Sequence, residues 1–343
     1  MATQALSIKY RPKTVDYVTE QGSTKIILQQ QLESGEVKHA YLFCGPAGCG
    51  KTTCARIFAN EINKGEGNPI ELDAASNNSI EDVRDISQQA KTKALDSEYK
   101  IFIIDECHAL SNSAWQAMLK LIEEPPAKAI FIFCTTDPQK IPATIISRVQ
   151  RYDFQRISQQ GIVDRLKTIC DLEFENKSYQ WYDDSFEYIA KIADGGMRDA
   201  ITLMDKCLSF SNKLTLENVV NALGTVNYED MMKLTDAVFE SATDDAVKTV
   251  EELYASGKDI KQFVKLYMHF LLDVSKFSLG CDWKYLNIPK LKEIEDWMSN
   301  ADLTTILDLL DMIVRLDSTI KYSSTPKQDI EAELILFING AEE

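Results

Sequence analysis

Eight consecutive residues, Gly45–Thr52 (GPAGCGKT), hold the most readable chemistry in this sequence. Their spacing, G-x-x-x-x-G-K-T, is that of a phosphate-binding loop. The glycines let successive backbone N–H groups curl around phosphate oxygens with no Cβ in the way. Lys51 is placed to reach the β- and γ-phosphates of a nucleotide and the Thr52 hydroxyl to hold Mg2+, while the following helix points its positive end at the anion. Further along, Ile101–Glu106 (IFIIDE) is an apolar run ending in two carboxylates. Asp105 would hold Mg2+ through its water shell, and Glu106 would act as general base on an attacking water. Two acids at a strand end say little alone. At about 50 residues after such a loop, on a strand of the same sheet, they complete a site for hydrolysing a nucleoside triphosphate.

Three weaker signals surround this pair. Cys134–Pro138 (CTTDP) puts hydroxyls at the end of another apolar run, where one can sense a γ-phosphate or orient water. Arg148, in Ile146–Arg148 (ISR), suits a finger that completes a neighbour's site; Arg198, in Gly195–Ala200 (GGMRDA), could fold back on its own. On spacing alone, either arginine could equally be a surface ion-pair residue. Cys49 and Cys54 read as small packing residues, since this chemistry needs no thiol. His39 and His108 have no partner at metal-binding spacing and read as structural. The run DECH (105–108) superficially matches a helicase box, but a second α/β domain of the kind helicases need is not evident.

The elements that must position these residues alternate through residues 1–156. Ala40–Cys44, Pro69–Asp73, Lys100–Ile104 and Ala129–Cys134 read as strands. Lys51–Asn63, Ile80–Ala94 (with Ser79 as N-cap) and Ser113–Glu123, stopped by Pro125–Pro126, read as helices. Apolar strands alternating with helices predict a parallel sheet covered on both faces. After Arg156 only helical periodicity remains. Ser158–Glu175, Asp183–Ala193, Met197–Phe210 and Leu216–Leu223 are expected helices, followed by roughly five more from Asn227, with a looser stretch at Gly280–Pro289. The predicted class is α/β followed by all-α, divided into 1–156, 157–225 and 226–343.

Composition narrows the function. Of the net charge of −16, residues 157–343 hold −15 and residues 1–156 only −1, so any DNA contact is expected from the front half or from an assembly. No apolar run approaches the roughly 20 residues a membrane span needs. Met1–Tyr10 lacks the apolar core of a signal peptide, and the eight cysteines are scattered singly, so a cytoplasmic protein with reduced thiols and no membrane is expected.

The segments KYRPKT (9–14), HAYLFCGPAGCGKTT (39–53), ELDAASNN (71–78), IFIIDECHALS (101–111), LKLIEEPP (119–126), CTTDPQKIPATIISR (134–148) and GGMRDAITLMD (195–205) together resemble the AAA+ clamp-loader ATPases, specifically the gamma/tau group of bacterial DNA polymerase III. The likeness is specific over about the first 225 residues and weaker to IKYSSTPKQDIEAELILFI (320–338), which looks like a last collar helix. It implies a RecA-like P-loop domain, a small helical lid and a helical collar. It implies ATP and Mg2+ as cofactors, with Gly45, Pro46, Ala47, Gly48, Cys49, Gly50, Lys51, Thr52 and Thr53 around the phosphates and Arg11 and Pro12 packing on the adenine. Thr136 takes the first sensor position, Arg198 the second, and Arg148 the finger acting in trans. The function implied is an ATP-hydrolysing motor that opens a sliding clamp and places it on primed DNA. Its partners would be the clamp, primer-template DNA and other loader subunits in a ring of about five.

Two departures carry weight. Bacterial members have a four-cysteine zinc module where this chain has only KGEGNP (64–69), so no zinc is expected; a viral or divergent origin would suit that compact form. The family's Ser-Arg-Cys is Ser147-Arg148-Val149 here, which keeps the arginine. The long tau-type tail is also expected to be absent. The competing function is another AAA+ motor, for branch migration or helicase loading. A loader subunit without hydrolysis is disfavoured, because Lys51, Thr52, Asp105 and Glu106 are all present.

Overall fold

A computed structural model of the chain describes residues 4–94, 96–174, 179–223 and 228–340. Two compact units emerge: Met1–Tyr179 with Ile189–Asp205, and Gln180–Tyr188 with Lys206–Glu343.

The first unit is built on five parallel strands: β1 (Ala40–Cys44), β2 (Ile70–Asp73), β3 (Lys100–Asp105), β4 (Ala129–Thr135) and β5 (Gln150–Asp153). Their order across the sheet is β2-β3-β4-β1-β5. Residues two apart share a face, so each central strand feeds two cores. Leu42, Phe102, Ile104, Phe131 and Phe133 pack with Val83, Ile86, Trp115, Met118 and Ile145 from the helices Ile80–Ala90, Asn112–Glu123 and Ala143–Ile146. Tyr41, Phe43, Ile101, Ile103, Ile130 and Ile132 face the other way, onto Phe58, Ile57 and Ala55 of the Lys51–Ile62 helix and Leu28 of the Gly22–Ser34 helix. Burial on both faces explains why these strands read as unbroken apolar runs.

Two elements of this unit escape the sequence pattern. One is β5, an edge strand with Arg151 and Asp153 exposed and Tyr152 buried. The other is the Gly22–Ser34 helix, in which Thr24 and Leu28 alone are buried. The helix expected over Ile80–Ala94 ends at Ala90. Its start is as expected: the Ser79 side chain accepts from Asp82 N, and Asp82 accepts from Ser79 N at 2.9 Å, a reciprocal capping box.

The second unit is helical apart from one short parallel pair, Gln180–Trp181 with Lys213–Leu214, where no strand was expected. Two residues are too short to show a period of two. From Tyr228 onward six helices, rather than roughly five, follow among the described residues, and they share one apolar core around Tyr267, Phe270, Leu309 and Ile330. The stretch Gly280–Pro289 is irregular, as the sequence indicates, holding only a short 3-10 turn, Trp283–Tyr285. Buried Asp273 pins it by accepting from the backbone N–H groups of Asn287 (2.6 Å) and Ile288 (3.2 Å). Glu175, Asn227 and the boundary at 225/226 lie outside the described residues.

Candidate nucleotide site

The loop leaving β1 is fixed from both sides. Gly45 N donates to Thr135 O at 3.2 Å, and Phe154 N donates to Cys44 O at 2.7 Å. Gly45 (φ 151°) has no room for a side chain: a Cβ there would stand 2.4 Å from the Phe154 carbonyl oxygen. Gly48 (φ 71°) meets the backbone of Gly196, whose Cα would be 2.9 Å from such a Cβ. Met197 N donates to Gly48 O at 3.0 Å across the same contact. The glycines of GPAGCGKT and of GGMR therefore answer each other, and their approach brings the start of the Met197–Phe210 helix, with Arg198, to the loop.

Lys51 is 5% exposed, and its Nζ donates to the carbonyls of Gly45 (2.8 Å) and Pro46 (2.7 Å). Its ammonium is thus held inside the curl of the loop. Thr52 Oγ1 donates to Asp105 Oδ2 at 2.8 Å. A hydroxyl and a carboxylate side by side at the loop are hard oxygen donors of the kind Mg2+ takes. Glu106, in the left-handed region at φ 46°, turns back from the end of β3. Its Oε2 accepts from Thr136 Oγ1 (2.9 Å) and Thr136 N (3.3 Å) and lies 3.2 Å from His108 Nδ1. Thr136 therefore belongs to the site through Glu106. His108, expected to be structural, also lies 3.2 Å from Thr135 Oγ1 and is a neighbour of the general-base candidate.

A single cavity collects most of the expected residues: Arg11, Pro12, Ala47, Gly48, Cys49, Gly50, Lys51, Thr52, Thr53, Asp105, Glu106 and Arg198. Gly45 and Pro46 lie just behind it, as acceptors for Lys51. Tyr10, Val18, Thr19, Ile157, Arg165 and Ile201 also line it and are not singled out by the sequence. Arg165 donates to Tyr10 O at 2.9 Å, tying the Gln159–Phe174 helix to the segment carrying Arg11 and Pro12. An arginine on an amphipathic helix gives no sequence signal for such a role. The thiols nearby are inert by burial, which raises Cys49 and pushes Cys44 up to about 11 and Cys54 up to about 12.

Arg148 is elsewhere. It precedes β5, whose first residue, Gln150, is level with Tyr41 near the start of β1. It lines an open concavity with Lys38, His39, Glu123 and Ser147 at the edge of the sheet where the strands begin. The loop at Gly45 follows the other end of β1, about 13 Å beyond Tyr41 at 3.3 Å per residue. The predicted site residues thus fall into two groups, one at each end of the sheet.

A parallel sheet with a phosphate loop after β1, paired acids after β3 and helices on both faces defines a P-loop ATPase fold of the AAA+ class. Thermotoga maritima RuvB, described as a Holliday junction branch migration motor, has this fold: TM-score 0.54 at 22% identity over 69% of this chain and 80% of that one. Residues 68–158 match the family described as DNA polymerase III, delta subunit, and residues 214–341 match DNA polymerase III subunits gamma and tau domain III. The tau subunit of Bacillus subtilis DNA polymerase III is 35% identical over 98% of this chain and 63% of its own length. The gamma subunit from Buchnera aphidicola is 28% identical over 99% of this chain and 100% of its own length. These matches make the chain similar to the gamma and tau subunits of DNA polymerase III and support an AAA+ clamp-loader subunit. It spans 63% of the B. subtilis relative and 50% of the Escherichia coli tau subunit.

Proposed function

We propose that the chain is an ATP-hydrolysing motor subunit of a sliding-clamp loader, working in the cytoplasm with the clamp, primer-template DNA and other loader subunits in a ring of about five. Residues 1–156 would form the nucleotide domain, 157–225 the lid and 226–343 the collar through which subunits associate. The observation that carries this reading is the placement of Arg148 at the opposite end of the sheet from the chain's own phosphate loop. An arginine there cannot serve the ATP of its own chain, and it suits the ATP of a neighbour.

Each residue then has a task. Arg11 and Pro12 pack on the adenine, and the backbone from Gly45 to Thr53 wraps the phosphates. Lys51 stabilises the β- and γ-phosphates, and Thr52 and Asp105 would hold Mg2+. That ion would neutralise charge on the phosphate oxygens. Glu106 takes a proton from the attacking water, while Thr136 fixes the direction in which its carboxylate points. Arg198 adds positive charge from the same chain. Arg148 adds it from the neighbour, so the site is complete only in the assembly, which ties hydrolysis to ring closure on a clamp and DNA.

The test is steady-state ATP hydrolysis by the chain assembled with its partner subunits, with clamp and primed DNA added singly and together. Synergy between clamp and primed DNA is the expected result. Turnover stimulated by DNA and indifferent to the clamp would overturn the loader reading in favour of a branch-migration or helicase-loading motor.

A further inference from the structure

The LIEEPP segment (121–126) has no task in the mechanism above, and its first acid meets the finger. Arg148 Nε lies 2.8 Å from Glu123 Oε1. The contact is an ion pair; the hydrogen bonds of the guanidinium are made by Nη1, to Thr144 O (2.9 Å) and Ser147 Oγ (3.0 Å). The Nη2 amino group makes no hydrogen bond among the described residues, so the guanidinium is held at Nε and at Nη1 with Nη2 left to donate. A flexible arginine on a surface loses much rotamer entropy on meeting a phosphate; one already held on two sides loses less.

The position of Glu123 argues that the contact is not there for folding. It is the last residue of the Asn112–Glu123 helix, followed by Glu124 and the Pro125–Pro126 stop. Carboxylates at a helix C-terminus oppose the macrodipole, so this is a poor place for an acid on stability grounds. The pair is exposed, at 41% and 42% of the side-chain surface, and an ion pair so exposed adds little to stability. What it does supply is direction. Pro125 and Pro126 fix where the helix stops, and hence where the carboxylate stands.

We infer that Glu123 is a positioning residue for Arg148, holding the finger so that its Nη2 amino group meets the γ-phosphate of the neighbouring chain. This rests on the trans role proposed for Arg148. Because the contact is an ion pair, a neutral residue of the same shape should hold the finger less well than the carboxylate does.

The experiment compares Glu123→Ala, Glu123→Gln, Arg148→Ala and the double variant Glu123→Ala/Arg148→Ala, each in the assembled complex with clamp and primed DNA, after a thermal melt shows each folded. Glu123→Ala should lower kcat by roughly tenfold with unchanged affinity for a fluorescent ATP analogue, since a misplaced catalytic group costs rate rather than binding. Glu123→Gln should fall between the parent and Glu123→Ala, and the double variant should be no slower than Arg148→Ala alone. If Arg148→Ala is slow while Glu123→Ala turns over normally, the positioning role is wrong and the finger stands. Additive losses from the two substitutions would overturn the positioning role in the same way. If Arg148→Ala itself is fully active, the trans reading falls and this inference falls with it.

Discussion

The two ends of the β-sheet differ in how much of a reaction they contain. The end where the strands finish holds a whole phosphate site: the loop, Lys51, the Thr52–Asp105 pair, and Glu106 with its partner Thr136. The end where they begin holds one arginine clamped by Glu123, Thr144 and Ser147, with no phosphate loop of its own. On the proposed function, a chain that is complete at one end and lacks an object at the other works beside a copy or a relative. The asymmetry is topological. In a parallel sheet every strand finishes on the same side, so binding loops collect there, and whatever precedes a strand is carried to the far side.

Substitutions at each end probe this difference. The largest effect is expected at the strand-finish end. Lys51→Ala removes the ammonium proposed to meet the phosphates and should weaken ATP binding by about a hundredfold, read by titration with a fluorescent ATP analogue. Unchanged affinity would dissolve the assignment of that end. At the other end, Arg148→Ala should leave this affinity unchanged and lower stimulated turnover in the assembly by at least about tenfold, which steady-state hydrolysis reads. Equal loss of binding would mean that the two ends are not separate. Between the ends, the Ile80–Ala90 helix depends on its cap, and Ser79→Ala should cost about 1 kcal/mol in denaturant unfolding without altering ATP affinity. The smallest effect concerns the thiols. Seven of the eight are buried, and burial raises Cys44 and Cys54, so at pH 8 both stay protonated. Iodoacetamide on the folded chain should add one label, on exposed Cys281, and leave ATP binding untouched; intact mass and peptide mapping check this.

The same two ends explain what could be read from the residues alone. The phosphate loop is legible because its chemistry is contiguous: eight neighbours in sequence are neighbours around one anion. The acids at the end of β3 are nearly as legible, since the apolar run Ile101–Ile104 announces itself. The far end is not. Glu123 and Arg148 are separated by a whole strand, and β5, which carries Arg148 to its place, hides behind the exposed charges of Arg151 and Asp153. Arg165 is similarly silent, because it reaches the nucleotide cavity across 155 residues by a bond to the Tyr10 carbonyl. His108 shows a subtler limit: it sits two residues from Glu106 in sequence, yet only the left-handed turn at Glu106 brings the imidazole to the carboxylate. In the second unit, helical periodicity reveals nearly every helix, while the two-residue strands leave no trace.

A working site, on this reading, takes its loop from one chain and its arginine from the next, and mixing variants tests that. Lys51→Ala chains bind ATP too weakly to turn it over, and Arg148→Ala chains cannot donate a finger, so each assembly alone should be nearly inactive with clamp and primed DNA. Reassembled together, an Arg148→Ala chain beside a Lys51→Ala chain has an intact loop facing an intact finger. Turnover of the mixed assembly well above the sum of the two separate preparations is the expected result. Turnover equal to that sum, with mixed assemblies verified by mass, would contradict a site shared between chains.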